Sequence, residues 1–170
     1  MFNFWQPLFT GAGVPAICDA LRASNLIDVS LHMMRLLHTL PDGLAVLESL
    51  TGHCSVARLE ISLNFVQQPE SSVAVGEMLG RLIASSSQLE DVNVASCNLG
   101  DAGMRPLFEA IAGSRTLRKL DCSYTAISQE CARDVILPAV RANTSLRELF
   151  FLQYYIVELV EAMRLVAVRQ

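Results

Sequence analysis

Residues Leu89 to Leu117 decide the fold of this chain. The stretch reads Leu89-x-x-Val92-x-Val94-x-x-Cys97-x-Leu99, followed by Gly103, Leu107, Ile111 and Leu117. Its apolar residues recur at every second position around Val92 and at every third or fourth position in the second half, as a strand followed by a helix requires. The stretch therefore predicts one unit made of a short β-strand, a turn and an α-helix.

The same unit recurs along the whole chain with a period of roughly 30 residues. After Leu89 it restarts at Leu117 and again at Leu146, and upstream it begins at Val56 and at Leu26. The N-terminus keeps the spacing of the template helix with Phe9, Gly13, Ile17 and Leu21. These six registers predict one repeat domain over 1–170, with units at approximately 1–25, 26–55, 56–88, 89–116, 117–145 and 146–170.

This pattern resembles the leucine-rich repeat of the ribonuclease-inhibitor-like superfamily over essentially the whole chain. The resemblance implies an α/β solenoid, a right-handed superhelix with about six parallel strands on its concave face and helices on its convex face. The superfamily includes tropomodulin-type actin caps, Ran GTPase-activating proteins and the repeat arrays of NOD-like receptors. The number of units followed by a terminal helix is most similar to the C-terminal half of tropomodulin, a likeness of architecture alone.

Four local features refine the helices. The unit that begins at Val56 is longer than the others and holds an insertion, and its residues 67–71 predict a loop with Ser71 or Ser72 as the helix N-cap. Ser128 is expected to cap the helix of the fifth unit, in which Pro138 must kink or break the helix. A last helix, from Ile156 to about Val168, is interpreted as a terminal cap, although removal of further repeats stays an alternative.

Composition limits the function and the compartment. The net charge of −4 argues against a nucleic-acid-binding domain, which would show a basic stripe. No run approaches the roughly 20 apolar residues of a membrane span, and the uncharged N-terminus lacks the basic start of a secretory signal. The five cysteines are an odd number without C-x-x-C spacing, and Cys97 and Cys122 occupy positions for small buried hydrophobes. We therefore expect a cytoplasmic protein with free thiols.

The strand pattern predicts which side chains face outward on the concave face, because side chains alternate along a strand. The residues expected there form four columns: Asn3, Ser30, Glu60, Asn93, Asp121 and Phe150; Trp5, His32, Ser62, Ala95, Ser123 and Leu152; Gln6, Met33, Leu63, Ser96, Tyr124 and Gln153; and Asp28, Arg58, Asp91, Lys119 and Glu148. From them we select a candidate partner-binding set: Trp5, His32, Glu60, Asn93, Asp121, Tyr124 and Phe150. Trp5 and Phe150 lie at the ends of the array, where contact with a cap is an equal alternative to binding.

No pattern in the sequence indicates catalysis. Glu60 and Asp121 are the candidates for an acid–base pair, but two intervening strands are expected to separate them by roughly 14 Å, which is too far. The three histidines have no ligand spacing, so no metal or other cofactor is expected. No serine lies in a G-x-S-x-G motif. The sequence thus predicts no enzyme.

The leading hypothesis is a non-enzymatic scaffold that binds another protein, of unknown identity, on its concave face. Aromatic residues on a repeat platform favour it, since such residues carry much of the energy of protein interfaces. A fragment with only a structural role inside a longer solenoid is one alternative, and two functional alternatives remain. One is an actin-binding module similar to tropomodulin, and the other is a GTPase activator similar to the Ran-activating proteins. The second would use an arginine at the edge of the array, for which Arg58 is the candidate.

Overall fold

The computed structural model describes residues 2–3, 13–31, 40–63, 69–153 and 155–169. It contains six short strands: β1 (Phe2–Asn3), β2 (Asp28–Ser30), β3 (Arg58–Glu60), β4 (Asp91–Asn93), β5 (Lys119–Asp121) and β6 (Glu148–Phe150). They form one sheet in chain order, and every neighbouring pair is parallel. The central residues lie side by side in the register predicted from the repeat: Val29, Leu59, Val92, Leu120 and Leu149.

Helical segments follow each strand. They are α1 (Val14–Arg22), α2 (Leu40–Glu48), α3 (Pro69–Ser85), α4 (Gly100–Gly113), α5 (Gln129–Cys131), α6 (Leu137–Ala142) and α7 (Val157–Ala167). A π-helical turn over Ala132–Ile136 joins α5 to α6. Parallel neighbours in chain order, each followed by helix, are the arrangement of a leucine-rich repeat solenoid, so the predicted fold class is confirmed.

The core is a continuous layer between the sheet and the helices. The middle residue of each strand from β2 to β6 is buried, and so is the inner face of each long helix. The rings of Phe108 and Phe151 stack in this layer with centroids 6.2 Å apart. Cys97 and Cys122 are fully buried, as predicted, and the Cys97 thiol donates a hydrogen bond to the carbonyl of Ile61 at 3.1 Å. Stacking of units thus explains why an apolar fraction of 52% is compatible with a folded chain.

Helices α3 and α4 pack with their backbones in direct contact. A Cβ atom on Gly76 would lie 2.1 Å from the carbonyl oxygen of Gly103, and one on Gly103 would lie 2.6 Å from the carbonyl oxygen of Ser72. Both positions therefore need a residue without a side chain. This contact sets the distance between the third and fourth units.

The starts of the helices agree only in part with the sequence. The N-cap predicted at Ser71 or Ser72 is wrong: α3 already begins at Pro69, because the fixed φ of proline suits the first turn of a helix. Residues 64–68 lie outside the described residues. The predicted cap at Ser128 is confirmed, since its hydroxyl accepts a hydrogen bond from the Cys131 amide at 3.1 Å. The predicted last helix is present as α7.

The break predicted at Pro138 takes the form of the π-helical turn. The amide of Leu137 donates to the carbonyl of Ala132, five residues back, and Pro138 follows in the first turn of α6. Proline has no amide to donate and crowds the carbonyl four residues before it. A wider turn just ahead of Pro138 relieves both conflicts and keeps the helix continuous.

Buried polar side chains hold the turns that lead from helices back to strands. The Asn143 side chain is 1% exposed and donates to the carbonyls of Ile111 at 2.7 Å and Ser114 at 2.9 Å. Its oxygen accepts from the amides of Ser145 and Leu146. One side chain thus ties the fifth unit to the end of the fourth-unit helix. His53 has the equivalent place in the second unit, where its Nε2 lies 3.1 Å from the carbonyl of Leu21.

Candidate functional site

One face of the sheet is left uncovered by the helices, and we call it the concave face. In β2 to β6 the first and third residues lie on it, while the middle residue points into the core. Its described side chains on β2 to β6 are Asp28, Ser30, Arg58, Glu60, Asp91, Asn93, Lys119, Asp121, Glu148 and Phe150. Residues of β2 to β5 line a shallow depression of about 330 Å³ on this face.

The first residues of the strands form a row of alternating charge: Asp28, Arg58, Asp91, Lys119 and Glu148. Arg58 donates from Nε and Nη2 to the two carboxylate oxygens of Asp28, at 2.6 and 2.7 Å. Lys119 lies 3.4 Å from a carboxylate oxygen of Asp91. The hydrogen bond from Arg58 lowers the pKa of the Asp28 carboxyl, and the same bond raises the pKa of Arg58. Each cation of this row thus pairs with the acid on the preceding strand.

The third residues of the strands form a second row, in which polar side chains accept hydrogen bonds from nearby hydroxyls and backbone amides. The Glu60 carboxylate accepts hydrogen bonds from the Ser30 hydroxyl at 3.1 Å and the Ser62 hydroxyl at 2.8 Å. Asp121 accepts from the amide of Ser123, two residues later, at 2.8 Å. Asn93 does the same for Ala95 at 2.9 Å. Short polar side chains that bond to the backbone two residues on stabilise a turn, so this row ends the strands as well as facing solvent.

Negative charge predominates on this face. The described concave face of β2 to β6 carries five carboxylates and two cations, a formal excess of three negative charges. The whole chain has a net charge of only −4. The concave face therefore accounts for most of the net negative charge of the chain.

The second row becomes apolar at β6, although Glu148 of the first row lies on the same strand. Phe150 is 41% exposed and lies beside Asp121 in the register, and Leu152 is 38% exposed just beyond it. Tyr124, in the turn after β5, is 70% exposed. Its backbone φ of +57° matches that of Leu63 and Ser96 at the equivalent positions of two earlier units. The left-handed conformation therefore belongs to the repeat turn rather than to Tyr124 itself.

The structure brings most of the sequence-selected residues together. Glu60, Asn93, Asp121 and Phe150 stand in one row on consecutive strands, and Tyr124 lies in the turn beside them. Trp5 and His32 lie outside the described residues. These positions are structural facts, and the role of the residues in binding stays a prediction.

Two expectations about this face were wrong. Ser62 and Ser123 were expected on the surface but are buried, because the chain turns immediately after the third residue of β3 and of β5. Glu60 and Asp121 are separated by β4 alone and not by two strands, so the strand spacing puts them roughly 10 Å apart. The serine hydroxyls and the amide described above bond to these carboxylates, which serve as acceptors within the fold.

Sequence reasoning missed the pairing within the first row. The signal was present in the column Asp28, Arg58, Asp91, Lys119 and Glu148, whose charges alternate when the repeats are aligned. Because adjacent strands lie about 4.8 Å apart, such a column predicts ion pairs directly. Arg58, the candidate for a GTPase-activating arginine, uses two of its nitrogens on Asp28 in this arrangement, so the geometry does not favour that alternative.

Two further kinds of feature, a metal-binding cluster and a membrane-spanning helix, are absent from the described residues. Among them, no group of three or more histidine, cysteine, aspartate or glutamate side chains is arranged to hold a metal ion. No helix in the described part of the chain is long and apolar enough to cross a membrane.

The comparisons identify the fold and not a family. The sequence matches no family model and no curated protein. Among solved structures, the chain is similar to leiomodin-1 actin-binding site 2, with a TM-score of 0.69 and 14% identity, covering 95% of this chain and 91% of that one. It is also similar to a tropomodulin C-terminal domain from Caenorhabditis elegans, with a TM-score of 0.72 and 15% identity, covering 92% and 94%. The likeness to the tropomodulin architecture noted from the sequence is thus confirmed at the level of the fold.

Proposed function

We propose that this chain is a protein-binding module and that the concave face of β2 to β6 is its contact surface. One observation carries the proposal. Helices cover one face of the sheet, while the other presents charged, polar and aromatic side chains in ordered rows to solvent. A face that the fold leaves open in this way is available to a partner.

The dimensions of the face suit a partner protein. Five strands at about 4.8 Å spacing span roughly 20 Å, the scale of one side of a standard protein interface of ~800 Å². Tyr124 and Phe150 supply exposed aromatic rings near charged neighbours. Aromatic residues of this kind act as anchors when a partner covers them.

Actin is the first partner to test. The leiomodin-1 domain is, by its name, an actin-binding site, and it shares the fold of this chain over nearly its whole length. At 14% identity the likeness concerns the fold, so an actin-binding role for this chain is part of the proposal. Sedimentation with actin filaments and binding to labelled actin monomers would test it directly.

The experiment that tests the contact surface compares two double variants. We expect Asp121→Ala with Tyr124→Ala to weaken binding of actin, or of a partner captured from cell extract, at least about tenfold, since anchor residues contribute roughly 1–2 kcal/mol each. The matched control is Glu109→Ala with Val168→Ala, two exposed positions away from the concave face. Equal binding by wild type and the concave variant, with both variants folded by circular dichroism, would refute this contact surface.

We also propose a cytoplasmic location. All five cysteines are free, and Cys54 is exposed. Free thiols of this kind are compatible with a reducing compartment.

A further inference from the structure

We infer that the partner presents an amphipathic helix that lies across the strands of the concave face, with basic residues over β3 to β5 and apolar residues over β6. This inference rests on the proposed function and specifies its partner. It comes from the order of side chains along the second row of the concave face, which runs Glu60, Asn93, Asp121 and Phe150 on consecutive strands.

Charge determines one end of the partner helix. The concave face has an excess of three negative charges, and the carboxylates of Glu60 and Asp121 lie roughly 10 Å apart on either side of Asn93. Opposite charge on a partner speeds association and excludes wrong partners. A second copy of this chain would bring the same negative charge to this face, so self-association through it is disfavoured.

Hydrophobicity determines the other end. Phe150 and Leu152 are both more than one-third exposed, and Tyr124 is exposed in the turn beside them. Covering these side chains with apolar partner residues removes their surface from water, which is favourable in proportion to the area. The second row thus changes from charged to apolar along one direction, across the strands towards β6.

The spacing of the strands favours a helix over an extended segment. Strands lie about 4.8 Å apart and an α-helix advances about 5.4 Å per turn, so a helix laid across the strands brings about one turn to each strand. Partner residues at i and i+7 are ~10.5 Å apart on one face of a helix, which matches the separation of Glu60 and Asp121. An extended segment covers that distance in about three residues, and an odd number places the two side chains on opposite faces.

The pattern of the partner follows from this register. Basic residues at i and i+7 lie over Glu60 and Asp121, a polar residue at i+3 or i+4 lies over Asn93, and an apolar residue at i+10 or i+11 lies over Phe150. This pattern is directional, because reversing the helix would put apolar residues over the carboxylates.

The test uses three labelled peptides, each long enough for about five turns of helix, in an alanine and glutamine background. The first has lysine at i and i+7 and leucine at i+10 and i+11. The second replaces both lysines by glutamate, and the third replaces both leucines by serine. Fluorescence anisotropy at low salt measures their binding to the full chain. We expect the first peptide to bind at least about tenfold more tightly than either of the others, and its affinity to fall as salt screens the charges.

Variants of the chain test the predicted register. Glu60→Gln with Asp121→Asn should weaken the first peptide about tenfold, and Phe150→Ser should act similarly without changing the salt dependence. The control, Glu77→Gln with Glu109→Gln, removes two exposed helix carboxylates away from the concave face and should change nothing. Equal binding of the lysine and glutamate peptides would overturn the inference, and that comparison needs no variant of the chain.

The outcomes separate the inference from the proposed function. If the first peptide fails to bind but the Asp121 and Tyr124 double variant still loses actin or the captured partner, the helix inference is wrong and the contact surface stands. If the first peptide binds equally well to wild type and to all concave variants, it does not bind the predicted register, and the helix inference is wrong. If neither peptide nor protein partner depends on the concave face, both proposals fail.

Discussion

The α3–α4 contact and the concave face are built from the same repeated units but obey opposite constraints. At the contact, the backbone at Gly103 lies so close to Gly76 that not even one carbon atom fits between them. On the concave face, side chains such as Arg58 and Tyr124 extend into solvent, and the Arg58–Asp28 ion pair lies at the surface. The interior therefore specifies how the units stack, whereas side chains on the concave face can be substituted without disturbing the stack and are available for recognition.

The turns that lead from helix to strand belong with the interior. Asn143 makes hydrogen bonds that join two units from a buried position. Polar residues thus take part in both regions. Burial, and not polarity, decides how much a substitution costs.

The largest effect is expected at the helix contact. Gly76→Ala should lower the free energy of unfolding by about 3 kcal/mol, because the added carbon atom must push α3 away from the α4 backbone. Gly113→Ala is the control, since nothing lies within 4 Å of its Cβ position. It should be neutral or stabilising by up to about 1 kcal/mol. Urea unfolding measures both, and equal stabilities would show that the two helices are not in contact.

An intermediate effect is expected at the turn. Asn143→Ala should lower the free energy of unfolding by about 2 kcal/mol, because it leaves buried amides and carbonyls without partners. Thr144→Ala, at the exposed neighbouring residue, should leave the stability within about 0.5 kcal/mol of wild type. Should the two variants unfold at the same urea concentration, the assignment of this turn to the interior would be wrong.

The smallest effect is expected on the concave face. Arg58→Ala should lower the stability at pH 7 only slightly, because the Arg58–Asp28 pair is exposed and screened by water. The same variant should move the pKa of Asp28 up towards its ordinary value of 3.8, since the hydrogen bond from Arg58 is the main cause that lowers it. Carboxyl NMR titrations of wild type and variant measure this change.

The direction of the pH effect follows from linkage. A carboxyl whose pKa is lower in the folded state stabilises the fold above its unfolded pKa, and the contribution disappears as pH falls through the folded value. For Asp28 the loss therefore occurs below about pH 3.8 in wild type, and it should be absent from Arg58→Ala. The stability difference between the two proteins should be constant above about pH 5, and a change in it with pH in that range would contradict the assignment to Asp28.

Much of the fold could be read from the sequence, because the repeat pattern reports burial directly. The middle residues of the strands, such as Val92 and Leu120, were placed in register by their spacing alone. The start of α3 could not be placed, since an insertion interrupts the pattern before Pro69 and the local residues favour a cap and a helix start equally. Gly76 and Gly103 likewise gave no sign of a close contact, because their partners lie in different units.

The candidate face was predictable in part. The alternation of side chains identified Glu60, Asn93, Asp121 and Phe150 as one row, because a strand has a period of two. The burial of Ser62 and Ser123 depends on the turn that follows each strand, which a strand period does not describe. The sequence analysis placed two strands between Glu60 and Asp121, and the order of strands in the sheet shows that β4 alone lies between them.

The repeat, the parallel order of the strands and the residues of the core follow from the sequence alone, since each depends on the period at which apolar side chains recur. The packed fold was needed to show how closely α3 and α4 approach, which serines are buried, and which of the flanking acids Arg58 and Lys119 each contact. The physical reason is the same in each case. Periodicity reports which way a residue faces within its own unit, whereas distances between units depend on atoms that are about 30 positions apart in the chain and meet only when the units stack.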